Sequence, residues 1–434
     1  MNQTLPNRAK AAAELAASQS ELKRLQELDP LLIDVSLREP CFSAPLGHTL
    51  QNKLDLLHLV DEIGVRDRII ATLDYQFEES AEVEDAFCIH LRDHGHDLRN
   101  CFAMTTMGTR ADGAFTADLS MRKLVEYRIP NTLHECVLLP QDRPRPALAV
   151  LSESIAWLRQ RLPSVGGGPG RIYVNLLDLA DALMADADWG YAALEHLAGQ
   201  PVDGISFEDA RGTYFPFQIG AVVAVARALL RPDQKVLFHA HAGNGMENAS
   251  VIEALLRGAD GYWGGLERTS STIGHASLGD LIANLVRAGN THVAGRYAIR
   301  RLLSVCREMH RINTGQAMPD DWPISGHNAY REMLSDFRQR PGRSMDLPPT
   351  MIGGDYGYRI APVGSDVPAV QARVQEALGL AIDDNVARRM ILMMRADLCG
   401  GIRLRYDDPI PLRELYDRVM QERRAPVASA VRDA

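Results

Sequence analysis

Short apolar runs alternate with longer amphipathic stretches along most of the chain. Residues 31–35 form an apolar run of strand length, and a 3.6-residue apolar stripe over 50–63, closed by Gly64, predicts a helix. The same unit recurs, with strand-like runs near 68–73, 101–105, 133–139, 171–176, 202–207, 235–239 and 260–264. Helical patterns fall between them, among them 152–161, 189–197, 216–230 and 249–257. Strands that alternate regularly with helices run parallel, because each crossover carries the chain back to the same end of the sheet. Eight such units in about 240 residues predict an α/β fold of the (β/α)8 TIM barrel type. An open doubly wound sheet is the alternative, since strand order cannot be read from one sequence.

Outside this repeat the pattern changes. Residues 8–28 combine high helix propensity with a modest apolar stripe and predict a helical arm that packs on the body or on a second subunit. Past residue 300, helical patterns over 367–378, 384–395 and 411–422 are separated by Pro- and Gly-rich breaks at 318–323, 341–349 and 353–357. The expected organisation is an N-terminal arm (1–30), a barrel (31–300), a small, mainly helical C-terminal extension (301–423) and a disordered tail (424–434). The glycine-rich stretch 166–170 precedes a strand, where a phosphate loop would join a strand to a helix, so it reads as a connector.

Composition narrows the class. A net charge of −9 and the lack of a basic run speak against nucleic-acid binding. No apolar stretch approaches the ~20 residues a membrane span needs. The first 29 residues have neither the apolar segment of a secretory signal nor the acid-poor character of a transit peptide. Six cysteines (Cys41, Cys88, Cys101, Cys136, Cys306 and Cys399) form no CxxC pair, the usage of a reducing compartment. The expectation is a cytoplasmic protein with small-molecule partners, no nucleic acid and no membrane.

The candidate chemistry centres on 239–249, His-Ala-His-Ala-Gly-Asn-Gly-Met-Glu-Asn-Ala, which follows the apolar run 236–238. Strand side chains alternate, so His239 and His241 share a face at the strand's C-terminal end. Two imidazoles on one face are half of a transition-metal site, or else two solvated histidines. In a barrel, chemistry belongs at the C-terminal ends of the strands. Those ends carry Ser36-Leu-Arg-Glu39, Glu208-Asp209, the two histidines and, in the loop after the eighth run, His275.

At these residues the chain resembles the DRE-TIM metallolyase superfamily, which includes the 2-isopropylmalate, homocitrate and citramalate synthases and 3-hydroxy-3-methylglutaryl-CoA (HMG-CoA) lyase. Asp34-Val-Ser-Leu-Arg-Glu39 is similar to the family's D-x-T-L-R-[DE], and Asp209 to Pro216 to its D-T-x-G-x-x-x-P. His239 to Ala259 is similar to H-x-H-N-D-x-G-L-A-x-A-N and the Gly-Ala that follows. Residues 271–281 occupy the place of the G-E-R-x-G-N loop. Pro323-Ile-Ser-Gly-His-Asn-Ala-Tyr330 resembles P-I-V-G-x-N-A-F, a segment of the synthases that the lyases lack. The resemblance covers about residues 31 to 340.

It implies a divalent-metal enzyme with Glu39, His239 and His241 as ligands and Arg38 beside the substrate carbonyl. The ion chelates a 2-oxo acid, and an acyl-CoA enolate attacks in a Claisen-type condensation; in the lyase direction a C–C bond breaks instead. A homodimer is implied as well. Asp209, Asn175 and Asn244 are candidate substrate contacts. The departures bear on the chemistry. Pro40 and Phe42 replace Gly and Gln, Ala210 replaces a substrate-binding Thr, and Ala242-Gly243 replaces Asn-Asp. The synthases' catalytic glutamate corresponds to Leu177, and their C-terminal histidines to Glu332 and Phe337, which makes Glu332 the candidate general base. His275 stands where the lyase has a ligating asparagine; as a ligand it would favour Mn, Fe, Co or Zn, with Mg still allowed, and otherwise it is a loop histidine. Two further groups have two readings each: Cys41 as a reactive thiol beside the ligand or a buried one, and His90, His94 and His96 as a chelating group or a solvated helix end. The expected activity is acyl-CoA condensation with a 2-oxo acid, with a metal-dependent C–C lyase or a non-catalytic homologue as alternatives.

Overall fold

A computed structural model describes residues 7–110, 112–141, 144–164, 167–335 and 347–424. Eight parallel strands close into a barrel: β1 (Leu31–Asp34), β2 (Asp67–Thr72), β3 (Cys101–Thr106), β4 (Asn131–Cys136), β5 (Ile172–Leu176), β6 (Gly204–Asp209), β7 (Lys235–Ala240) and β8 (Gly261–Gly264). Each pairs with its neighbours in sequence, and β1 pairs with both β8 and β2, so no edge is left open. This is the (β/α)8 barrel that the alternation predicts, and closure excludes the open sheet. Ile33, Val35, Ile69, Phe102, Met104, Leu133, Tyr173, Leu237 and Trp263 fill its interior.

Helix Leu50–Ile63 falls where the stripe places it, opened by a reciprocal Thr49–Asn52 capping box and closed by Gly64 at φ 88°. The fourth strand differs from its expected range. It starts at Asn131, whose side chain donates to the carbonyls of Arg99 (2.9 Å) and Cys101 (2.8 Å) and accepts from the Arg171 N–H (2.9 Å). A polar residue thus begins the strand by bridging both neighbours, and an apolar run cannot reveal that. The strand ends at Cys136 because the Asp178 carboxylate takes the N–H groups of Leu138 (2.7 Å) and Leu139 (2.6 Å). A small antiparallel pair, Gly108–Thr109 with Phe115–Thr116, follows β3 and was not expected.

The chain divides into two compact units, Met1–Ala317 and Met318–Ala434. Helix Leu302–Thr314 lies in the first. The N-terminal helix Arg8–Glu27 has no buried residue; its last turn is fastened by Gln26 to the Ala288 carbonyl (2.9 Å) and by Asn290 to the carbonyls of Leu25 and Leu28. In the second unit, helices Val367–Leu378, Asp384–Cys399 and Pro409–Arg424 pack around Val370, Val374, Met390, Met394 and Leu415. The expected disordered tail falls almost wholly outside the described residues, as does Phe337. No described helix is long and apolar enough to cross a membrane, and all six cysteines are free.

Candidate metal centre and active site

The strand period places the site. Leu133, Tyr173 and Leu237 point into the barrel. Two residues further along the same strands come Glu135, Asn175 and His239, and on β6 the matching position is Glu208. The interior therefore changes from apolar to polar within one layer as it nears the mouth.

Three imidazoles meet there. His239, His241 and His275 offer nitrogens that all lie within 4.8 Å of one another. The His239 Nδ1–H donates to the Trp263 carbonyl (2.6 Å), and the ring stacks on the Trp263 indole at 3.7 Å. That bond fixes the tautomer and leaves a lone pair on Nε2. His241 contacts Ser271 Oγ through Nδ1 (3.2 Å), and its Nε2 faces His239 Nε2 at 3.2 Å. Two donors ~2.1 Å from one ion, at tetrahedral or octahedral angles, stand about 3.0–3.4 Å apart. His275 is fully buried, and neither of its ring nitrogens has a partner. Burial pushes His239 and His275 well below the ordinary histidine value, so both are neutral and free to ligate. Glu39 is the nearest carboxylate, with Oε1 at 3.9 Å from His275 Nε2. Three nitrogens and one carboxylate fit a divalent transition ion better than Mg, which prefers oxygen.

Backbone packing holds the histidines. His241 and His275 form an antiparallel bridge, with Ala242 N–H on the Gly274 carbonyl (2.8 Å) and Ala276 N–H on the Ala240 carbonyl (3.0 Å). The loop after β6 lies against the same backbone. A Cβ on Gly243 would stand 1.7 Å from the Arg211 carbonyl, and one on Gly212 would stand 2.3 Å from the His241 carbonyl. Glycine at these two places allows the loops to close around His241.

Beside the histidines lies a charged group. Arg38 caps the short helix Glu39–Ser43, where Pro40 suits the first turn. Its guanidinium pairs with Glu39, stands 3.6 Å from Asp74 and carries Phe42 over one face. Burial alone would lower its pKa, but Glu39 and Asp74 outweigh that and keep it charged. Besides Glu39, three carboxyls face it. Burial, then the adjacent Asp74, pushes Glu135 well above the usual carboxylate range. Burial raises Asp74 likewise, although Arg38 opposes it. Glu208 is raised to about 7, mainly by burial, against a hydrogen bond from Asn175 Nδ2 (2.6 Å). The buried atoms Arg38 Nε, Asn175 Oδ1 and both His275 nitrogens lack hydrogen-bond partners. Buried polar groups are rarely left unpaired, and so many at one mouth mark a place built for a ligand.

Arg38, Glu39, His239, His241, His275 and Asn175 thus converge. The other candidates lie differently. Asp209 is one residue out of the inward register and uses its carboxylate on the N–H groups of Thr213 (2.9 Å) and Tyr214 (3.0 Å), shaping the loop after β6. The inward acid of that pair is Glu208. Asn244 sits on an exposed turn, its N–H on the Gly212 carbonyl. Glu332 belongs to the second unit, in a short parallel pair with Tyr358. The Cys41 thiol is pushed up to about 12, by burial first and Glu84 second, which disfavours the reactive thiolate. His90 stacks on His94 at the C-terminal end of helix Val83–Asp93, whose Phe87, Cys88 and Leu91 are buried. The sequence reading missed Asp74 and Glu135, although strand alternation carried a signal: each acid lies two residues beyond an inward or buried strand position.

No protein-family model and no curated protein matches the sequence. Solved structures do match. An HMG-CoA lyase from Acinetobacter baumannii, in complex with coenzyme A and 3-methylmalate, is 15% identical with a TM-score of 0.52, over 67% of this chain and 93% of that one. HMG-CoA lyases from Brucella melitensis (11% identity, TM-score 0.51, 67% and 100% covered) and Pseudomonas aeruginosa (10%, 0.51, 68% and 95%) are similar to it as well. At this identity the likeness is one of fold.

Proposed function

We propose that this protein is a divalent-metal-dependent carbon–carbon lyase of the aldol type, acting on a hydroxy acid whose cleavage releases a 2-oxo acid. One observation carries the reading: three neutral imidazoles, an arginine and proton-holding carboxyls, several of them without partners, all come from one barrel mouth. The motif resemblance and the lyase-like fold support it.

His239, His241, His275 and Glu39 would hold the ion, which when bound supplies Lewis-acid polarisation of the acid's carbonyl and carboxylate oxygens. The chain's own groups do the proton work. Glu208, poised near neutrality, accepts the proton of the substrate hydroxyl. The oxygen's electrons form a new C=O as the C–C bond breaks, and the bond pair passes into the adjacent carbonyl as an enolate. Arg38 places fixed positive charge where that charge develops. Glu135, kept protonated by burial, returns a proton to the enolate carbon, and solvent exchange resets the two carboxyls. Stacked aromatic side chains, Phe42 on Tyr75 at 4.7 Å, shield Arg38 from water.

The second reading is Claisen condensation of an acyl-CoA with a 2-oxo acid, in a homodimer and with Glu332 as base. The synthase-like segment 323–330 favours it. One panel separates the two. Protein loaded with Mn, Zn, Fe or Co is given 4-hydroxy-2-oxo acids alone, and acyl-CoAs with and without 2-oxo acids. Release of a 2-oxo acid without CoA is expected. Thiol release that needs both partners would replace lyase by synthase. Neither activity, with metal retained, would leave a binding homologue.

A further inference from the structure

A cavity of about 570 Å³ opens beside Glu135, between the ends of β3, β4 and β5. We propose that it receives the carbon chain of the 2-oxo acid and selects acids with an apolar chain of several carbons; this rests on the metal-chelation reading above. Size is the first argument. A volume in the range of whole small-ligand pockets is far more than the methyl group of pyruvate fills. Lining is the second, with Met107, Val137, Val150 and Leu177 presenting apolar surface and Glu135 at the end that joins the site. Charge is the third. Among the described lining residues the one cation is Arg145, which is paired with Asp186 at 2.8 Å and stacked over Trp189. Among the described lining residues no unpaired cation awaits the phosphates of coenzyme A or the far carboxylate of a diacid, so an uncharged chain fits best.

Part of the wall lies outside the eight strand–helix units. The pair Gly108–Thr109 and Phe115–Thr116, absent from a plain barrel, brings Thr109 and Gly113 to one side of the cavity.

The test is calorimetric binding to full-length, Mn-loaded protein of oxalate, pyruvate, 2-oxobutanoate, 2-oxopentanoate and 2-oxohexanoate. Affinity should rise about fourfold per added methylene, the equivalent of ~0.8 kcal/mol for each one buried. Leu177→Phe, a change at a half-buried position, should draw the 2-oxohexanoate-to-pyruvate ratio towards one, and Val150→Phe, on helix Leu148–Arg161 lining the same cavity, should do the same. A flat wild-type series with oxalate still bound would overturn the chain pocket and spare the chelation reading. A rise undiminished in both folded variants would place the chain elsewhere and overturn the proposal. Failure of oxalate and every 2-oxo acid to bind would bring down the chelation reading and the pocket together.

Discussion

Lys53→Met should destabilise the first unit more than any surface change of equal size. Lys53 is fully buried, and its Nζ donates to both oxygens of Glu84 (2.8 and 2.7 Å) and to the carbonyls of Leu37 (2.7 Å) and Ile70 (3.0 Å). Removing the ammonium strands a buried carboxylate, which costs about 3–5 kcal/mol, and the two carbonyls put the loss towards the upper end. The double variant Lys53→Met/Glu84→Leu removes both charges and should recover much of that loss. Urea unfolding followed by tryptophan fluorescence reads the change as a shift in midpoint at unchanged slope. Because Leu37 adjoins Arg38, the single variant should also weaken metal binding. A single variant within about 1 kcal/mol of wild type, or a double variant no better than the single, would show that the ion pair is not held in a dry interior.

Further predictions address the site and the barrel. Glu39→Ala and His275→Asn act on the donor set: the first should lower metal stoichiometry in elemental analysis, and the second should shift preference towards Mg and Mn, with no shift returning His275 to a loop role. Glu135→Gln should cut kcat about 10²–10⁴-fold while metal content stays at the wild-type level; unchanged turnover would remove it from proton transfer. Gly243→Val forces the loops around His241 apart and should cost about 2 kcal/mol or more along with metal affinity. Gly295→Ala, where a Cβ meets nothing within 4 Å, is its control. His134, buried between Thr105 and Ser154, is lowered to about 4, mainly by burial. The unfolded chain binds a proton that the folded one refuses, so stability should fall as pH drops from about 6.5 to about 4, by ~3 kcal/mol from this group. His134→Gln should flatten that limb in a pH series of melting temperatures; an unchanged slope would assign it to other groups.

Local pattern determined a good deal here. The alternation of apolar runs and amphipathic stripes sufficed for the eight strand–helix units, because burial on both faces of a parallel strand and on one face of a covering helix writes itself into neighbouring residues. The capped helix Leu50–Ile63 and the pairing of His239 with His241 on one face are local in the same sense. Other features come from residues distant in sequence. Asn131 begins a strand through bonds to 99, 101 and 171, and Lys53 reads as an ordinary polar position of an amphipathic helix until Glu84 and the carbonyls of Leu37 and Ile70 surround it. Asp74 and Glu135 are unremarkable acids in the sequence, and Glu208 is one of two adjacent acids at a strand end. Closure of the barrel brings them to Arg38, and the loss of water there changes which of them hold protons. Strand period alone separates Glu208, which faces the mouth, from Asp209, which shapes a loop. The sequence by itself determined the repeating unit and the residue types at the strand ends. Tertiary structure decided which of those residues meet and which are desolvated, because convergence and burial depend on barrel closure and not on neighbours in the chain.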